Sequence, residues 1–195
     1  MKRVTTQVAV LLCSVWAAGA YAAASMPLTF GVQGGANFAN ISTDPATTPT
    51  SRTGMTAGVN LELGLADYIY LQPELMYLQK GAVSGTVTTK LDYIELPIMG
   101  KAKFDAGMVK PYIMAGPSVA FAVSKTDSTG ATLTNIKSLD FGLHFGGGME
   151  IPVADAVSIF ANGRYCMGLA NIDDTAGSTL KTRGIVILAG AQFLL

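Results

Sequence analysis

Few side chains in this sequence could do chemistry, and the most conspicuous of them stand together. The stretch "LDFGLHFGGGMEI", residues 139–151, holds the single histidine, His144, and the run Gly146–Gly148. A histidine beside glycines suggests proton transfer in a tight turn, or a cradle for phosphate. The phosphate reading fails because no Lys-Ser/Thr follows the glycines and no helix begins there. A lone histidine supplies no metal-ligand set, so neither a metal nor a cofactor is expected. Cys166 is the other reactive group, and an inert buried thiol is the expected state. What remains is charge: Glu62, Glu74, Glu95, Asp140 and Glu150 against Lys80, Lys101, Lys103, Lys110 and Arg164, five acids and five bases.

The elements that carry these residues alternate. In the opening stretch Leu139, Phe141, Leu143, Phe145, Gly147, Met149 and Ile151 are apolar or small, and the residues between them are polar or small. A period of two marks a strand with unlike faces. The pattern recurs from Phe30 to Phe38, Met55 to Leu65, Ile69 to Lys80, Asp92 to Phe104, Val109 to Ser124, Val157 to Leu169, and Ile185 to Leu195. Eight strands of about ten residues result, enough to cross a bilayer at a tilt. The connections alternate too. Residues 66–68, 105–108 and 152–156 form short turns, whereas 40–53, 81–90, 125–138 and 170–182 form long polar loops. Short turns at one end and long loops at the other describe an eight-stranded antiparallel up-and-down transmembrane β-barrel. An even strand number puts both termini on the periplasmic side.

A soluble barrel would turn the apolar residues inward, and a membrane barrel turns them out. The polar faces carry many glycines and a balanced set of charges, which suits a lumen. There, an unpaired charge costs several kcal/mol and a matched set can break even. The expected lumen network is Glu62, Glu74, Glu95, Lys101, Lys103, Lys110, Glu150, Arg164 and His144. Within it, Glu62 and Glu74 meet Lys101 or Arg164, Glu150 meets Lys103 or Lys110, and His144 sits beside Arg164. Lys80 and Asp140 are expected in water at the rim. Glycines 146 and 148 make room for neighbouring side chains. On the lipid-facing parity, Phe30, Phe104 and Phe193 fall near the periplasmic end. Phe38, Tyr77, Phe121, Phe141 and Tyr165 fall toward the outer end, giving two aromatic girdles.

The first 22 residues read as a cleavable secretory signal peptide: a basic start at Lys2 and Arg3, a short apolar run, and an Ala20-Tyr21-Ala22 ending. The barrel domain is then 23–195. Cys13 is not a lipoprotein cysteine, because Leu12 precedes it where a small residue is needed, so Cys13 leaves with the signal. One cysteine remains and no internal disulfide can form. Formal charge is zero for the whole chain, and the mature part keeps 11 basic and 13 acidic residues once Lys2 and Arg3 are gone. That balance points away from nucleic acid.

Several stretches carry a family resemblance: "FGVQGGANFANIS", "TGMTAGVNLELGLADYIYLQPELMYLQKGA", "LDYIELPIMGKAKF", "KPYIMAGPSVAFAVS" and "LDFGLHFGGGMEI". The most specific part is "LQPEL", then a Tyr and "QKG", followed by a Tyr, a Glu and a Pro at alternate positions. On these the chain resembles the outer membrane protein beta-barrel domain family, the small porin-like or PorT-like barrels of Gram-negative bacteria. The resemblance implies an eight-stranded barrel in the outer membrane, among lipid and lipopolysaccharide and inserted by the barrel-assembly machinery. It implies little about activity. One departure is the ending "QFLL", where such barrels usually finish on an aromatic residue; Phe193 is the nearest. The expected function is structural or surface-interacting, without enzymatic activity, through a filled lumen and four exposed loops that meet an unidentified extracellular ligand. The rivals are a narrow channel for small or hydrophobic solutes, a lipid-modifying enzyme using His144, and a soluble periplasmic barrel.

Overall fold

In the computed structural model, residues 27–44, 50–84, 87–128, 130–133, 136–172 and 179–195 are described; the signal-peptide segment lies outside them. The eight alternating runs become β1 (Leu28–Asp44), β2 (Thr50–Ala66), β3 (Ile69–Ser84), β4 (Val87–Lys103), β5 (Lys110–Asp127), β6 (Leu139–Ala154), β7 (Val157–Gly168) and β8 (Thr179–Leu194). Each strand pairs antiparallel with the next, and β8 returns to β1, so the sheet closes. Closure removes both sheet edges, which is the condition for placing strands in hydrocarbon.

The strands are longer than the sequence suggests. Seven have 16 to 18 residues and β7 has 12. The polar loops contribute the excess: β3 runs to Ser84 and β4 starts at Val87, inside what reads as a ten-residue loop. Thr- and Ser-rich polar sequence carries no apolar alternation, yet it pairs readily once two strands are already in register. At a barrel tilt of about 40°, a 17-residue strand rises roughly 40 Å, against an apolar band of about 25 Å. The barrel wall therefore projects beyond the bilayer on the long-loop side.

Register fixes the geometry. Pairing followed from Leu28 passes through Leu63, Leu71, Gly100, Ala115, Phe145, Tyr165 and Ile185, and returns to β1 at Phe38, ten residues along. That stagger sets the strand tilt and, with eight strands, a bore that side chains can fill. The short turns are tight. Asp67 and Tyr68 join β2 to β3, and between β4 and β5 Gly107 takes a φ of 83° while its N–H donates to Asp105 Oδ1 at 2.9 Å. Only glycine adopts that backbone cheaply.

Faces divide as the alternation requires. Leu61, Leu96 and Ile187 are 42%, 45% and 53% exposed, whereas Glu62 and Arg164 are 2% and 3%. The apolar parity of the strands points away from the axis, although Met76, Leu78, Met99, Met114, Val186 and Leu188 are buried on the inward face, so the soluble-barrel arrangement is excluded.

Candidate functional site

The lumen is layered. Nearest the short turns, Lys101 Nζ donates to Glu62 Oε2 at 2.7 Å and to Gln72 Oε1 at 2.9 Å. Lys103 Nζ bridges Glu62 Oε1 and Glu150 Oε2, and Ser158 Oγ donates to Glu150 Oε1 at 3.0 Å. Two acids and two bases thus interlock. The two ammonium groups lie over rings: Lys101 Nζ is 4.0 Å from the Tyr112 centroid and Lys103 Nζ 4.5 Å from that of Tyr70. Lys110 stands opposite Glu150 in the β5–β6 register, half-buried, and makes no ion pair among the described residues.

One layer up, Arg164 Nη1 donates to Glu74 Oε2 at 2.7 Å and its Nε to Asn162 Oδ1 at 2.9 Å. The amides of Gln33 and Gln72 donate to the same carboxylate at 3.1 and 2.6 Å. The pair is nearly solvent-free, at 2% and 0% side-chain exposure. Donors from β1, β3, β4 and β7 converge on the Glu62 and Glu74 carboxylates, so the network ties strands that are not neighbours in the sheet.

The third layer differs from expectation. Lys80 and Asp140 are buried, not rim residues in water: they are 7% and 1% exposed. Lys80 Nζ lies 3.2 Å from Glu95 Oε2 and 3.9 Å from Asp140 Oδ2, and 5.0 Å from the Tyr93 ring. The extended strands carry the lumen upward past them, so positions that read as rim are enclosed. His144 is not beside Arg164 in the hydrogen-bond network. Its Nε2 faces Glu95 Oε1 at 2.8 Å and Ser118 Oγ at 3.1 Å, and its Nδ1 faces Cys166 Sγ at 3.4 Å. Thr182 Oγ1 donates to Asp140 Oδ2 at 2.8 Å.

Above that layer the bore closes with apolar residues. Leu91, Tyr93 and Ala120 of the wall pack with Ile136 and Ile172, which belong to the loops after β5 and β7; Leu133 and Leu180 flank them. Ile172 is fully buried. The loops therefore fold back into the mouth they connect. Lys137 N donates to Ile172 O at 2.8 Å, joining the two loops.

Steric details explain the glycine run. A Cβ on Gly148 would stand 2.8 Å from the Tyr112 ring and 2.2 Å from Ala161 O, and one on Gly190 2.7 Å from Phe160. The inward aromatics Tyr112 and Phe160 occupy space that only glycine leaves open. Outside, Phe30 pairs with Phe193 next to the short turns, and Phe104 follows β4 at 50% exposure. Phe38, Tyr77, Phe121 and Phe141 face outward higher up, each more than a third exposed. Tyr165 lies with its ring centroid 5.3 Å from that of Phe145, tilted by 46°; Phe145 is an outward aromatic that the girdle reading omits.

Sequence reasoning also misses Ser118, Gln33, Gln72, Asn162 and Thr182. For Ser118, Gln33, Gln72 and Asn162 the polar parity is the available signal, since each falls on the inward face of its strand, whereas Thr182 lies in a segment that reads as loop. For Ile136 and Ile172 no signal exists, because isolated isoleucines in irregular loops show no period.

A closed eight-stranded barrel, oily outside and ionic within, defines a small transmembrane barrel of the outer-membrane type. Residues 23–174 match the family described as outer membrane protein beta-barrel domain, and the chain belongs to that family. It is thus an outer-membrane protein with a side-chain-filled lumen, set among the lipids of that membrane. Among solved structures it is similar to Neisserial surface protein A, at 19% identity over 85% of this chain and 97% of that one, with a TM-score of 0.59. It is also similar to a major outer membrane protein from Thermus thermophilus, at 14% identity over 86% and 99%, with a TM-score of 0.56. At such identities the likeness is one of fold. No curated protein matches the chain.

Proposed function

We propose that this protein is a non-conducting, non-enzymatic scaffold that holds four loops at the cell surface for contact with an extracellular partner. The observation that carries this reading is the double closure of the bore. Three ionic layers occupy it, and the apolar cluster of Leu91, Tyr93, Ile136 and Ile172 packs across the long-loop mouth. A hydrated ion would have to pass both the ionic layers and an apolar plug. Strands that continue past the apolar band lift the loops away from the headgroups, where a binding surface on a rigid support is useful. The first and last strands begin and end at the short-turn end, where Thr29 pairs with Leu194, as expected if the termini are periplasmic and the long loops face out. Lipopolysaccharide surrounds the outer rim, the assembly machinery inserts the barrel, and residues 1–22 are removed as a signal.

The lipid-modifying alternative loses support from position. His144 is 3% exposed and points into the bore, with the barrel wall between it and any acyl chain. The test is reconstitution in planar bilayers at physiological salt. The proposal expects no unitary conductance, and protease added to intact cells should cut only in the long loops. Stable single-channel steps would favour the narrow-channel reading instead, and cleavage at the short turns would reverse the orientation.

A further inference from the structure

The third lumen layer contains more chemistry than a counter-ion set requires. Cys166 Sγ, His144 and Glu95 form a line: sulfur at 3.4 Å from Nδ1, and Nε2 at 2.8 Å from the carboxylate. The carboxylate accepts from Nε2–H, so a ring that carries one proton presents its Nδ1 lone pair to the thiol. A nucleophile, a base and a group that orients the base is the arrangement that activates a cysteine. Glu95 also stabilises the imidazolium that forms when the thiol proton moves to Nδ1.

A cavity adjoins the sulfur. It is lined by Lys80, Glu95, Asp140, His144, Cys166 and the inward side of Gly168, and its free volume of about 10 Å³ admits the centre of one water-sized molecule. Asp140 Oδ1 is buried without a hydrogen-bond partner, and Glu95 Oε2 has no aligned donor although Lys80 Nζ lies 3.2 Å away. An occupant must therefore donate hydrogen bonds to carboxylates and accept them from Lys80. Glycine at 142 and 168 keeps the space open, since a Cβ there would meet Ser118 Oγ at 2.8 Å and Thr182 Oγ1 at 2.5 Å.

We infer that this cavity is a peroxide-reactive thiol site, at which Cys166 is oxidised once by hydrogen peroxide. Peroxide has two O–H donors and acceptor oxygens, so it offers these acids and the lysine the same kinds of partner that a water would. His144 Nδ1 takes the thiol proton. The thiolate attacks the nearer peroxide oxygen, an S–O bond forms as the O–O bond breaks, and the departing hydroxide takes the proton from the imidazolium. The products are a cysteine sulfenic acid and water; sulfur loses two electrons and the peroxide gains them. No second cysteine stands among the described residues to resolve the sulfenic acid, so the event is a modification and not a catalytic cycle. The barrel wall and the loop plug exclude bulky reagents, which sets this site apart from a lipid-acting one.

The experiment uses the whole protein folded in lipid vesicles, with Cys166 oxidation followed by peptide mass spectrometry so that methionine oxidation is scored separately. The expected result is that hydrogen peroxide oxidises Cys166 at least about tenfold faster in the folded barrel than in the urea-unfolded chain at the same pH, while tert-butyl hydroperoxide does not. His144→Gln, checked for folding by heat-modifiable migration, should lose that acceleration. Oxidation of folded Cys166 slower than in the unfolded chain, equal reaction with the bulky peroxide, or an unchanged rate in a folded His144→Gln barrel would each overturn the inference. The first comparison needs no variant, so a His144→Gln protein that fails to fold leaves the test intact.

Discussion

Removing the guanidinium of Arg164 tests how far the lumen network holds the barrel together. Arg164→Met keeps most of the volume and deletes the 2.7 Å bond to Glu74, together with the Nε bond to Asn162. Glu74 then stays buried with two amide donors, Gln33 and Gln72. Breaking one side of a buried ion pair costs about 3–5 kcal/mol. The surviving amides hold the loss near the lower end, about 3 kcal/mol, or roughly 150-fold in the folding constant. Glu74→Gln alone should cost a similar amount by stranding the arginine. Glu74→Gln with Arg164→Met, which removes both charges, should return to within about 1 kcal/mol of wild type. Urea titration in lipid vesicles, read by heat-modifiable gel migration, gives all four corners of the cycle. A single variant within about 1 kcal/mol of wild type, or a double variant as unstable as the sum of the singles, would refute the claim that this pair acts as a unit.

Other outcomes follow from the same structure. Ile187→Arg, on the outward face near the middle of the crossing, should cost about 2–4 kcal/mol in vesicles, and Leu65→Arg beside the β2–β3 turn no more than about 1, by the same titration. Gly148→Ala should destabilise by about 1–3 kcal/mol, or slow insertion, because its methyl would strike Ala161 O and the Tyr112 ring; an unchanged unfolding midpoint would count against the packing described. Ile172→Asp, which puts a charge into the plug, should let a fluorescent-dye or conductance assay detect ion passage only if the ionic layers below are themselves permeable. No leak is expected, because those layers fill the bore independently.

How much of this can be read from the chain follows from what leaves a period in sequence. Parity is local, and Leu61, Glu62 and Leu63 announce their faces by themselves, so strand number, inward residues and the balance of lumen charge are all legible. The pairings Glu62–Lys101, Glu74–Arg164 and Glu150–Lys103 lie among the alternatives that parity allows; choosing between them needs the register. The ten-residue stagger is a property of closure and no strand carries it alone. Lys80 and Asp140 read as a rim pair for a related reason. Strand ends in Thr- and Ser-rich sequence carry no alternation, so the wall's extra height is invisible and the burial of the pair with it. His144 pairs with Arg164 on parity alone, but parity fixes a face and not a height, and the layers separate them. The loop plug depends on Ile136 and Ile172 folding back over Leu91 and Tyr93, a tertiary contact with no local trace.

The orientation of the two faces is most directly measured by spin labels. Single cysteines at 185 through 189 on β8, introduced into a Cys166→Ser background and labelled in lipid vesicles, report oxygen and polar-quencher accessibility residue by residue. A period of two is expected, with 185, 187 and 189 open to membrane-dissolved oxygen and closed to the polar agent, and 186 and 188 shielded from oxygen. A flat profile, or a profile with 186 and 188 facing lipid, would contradict it.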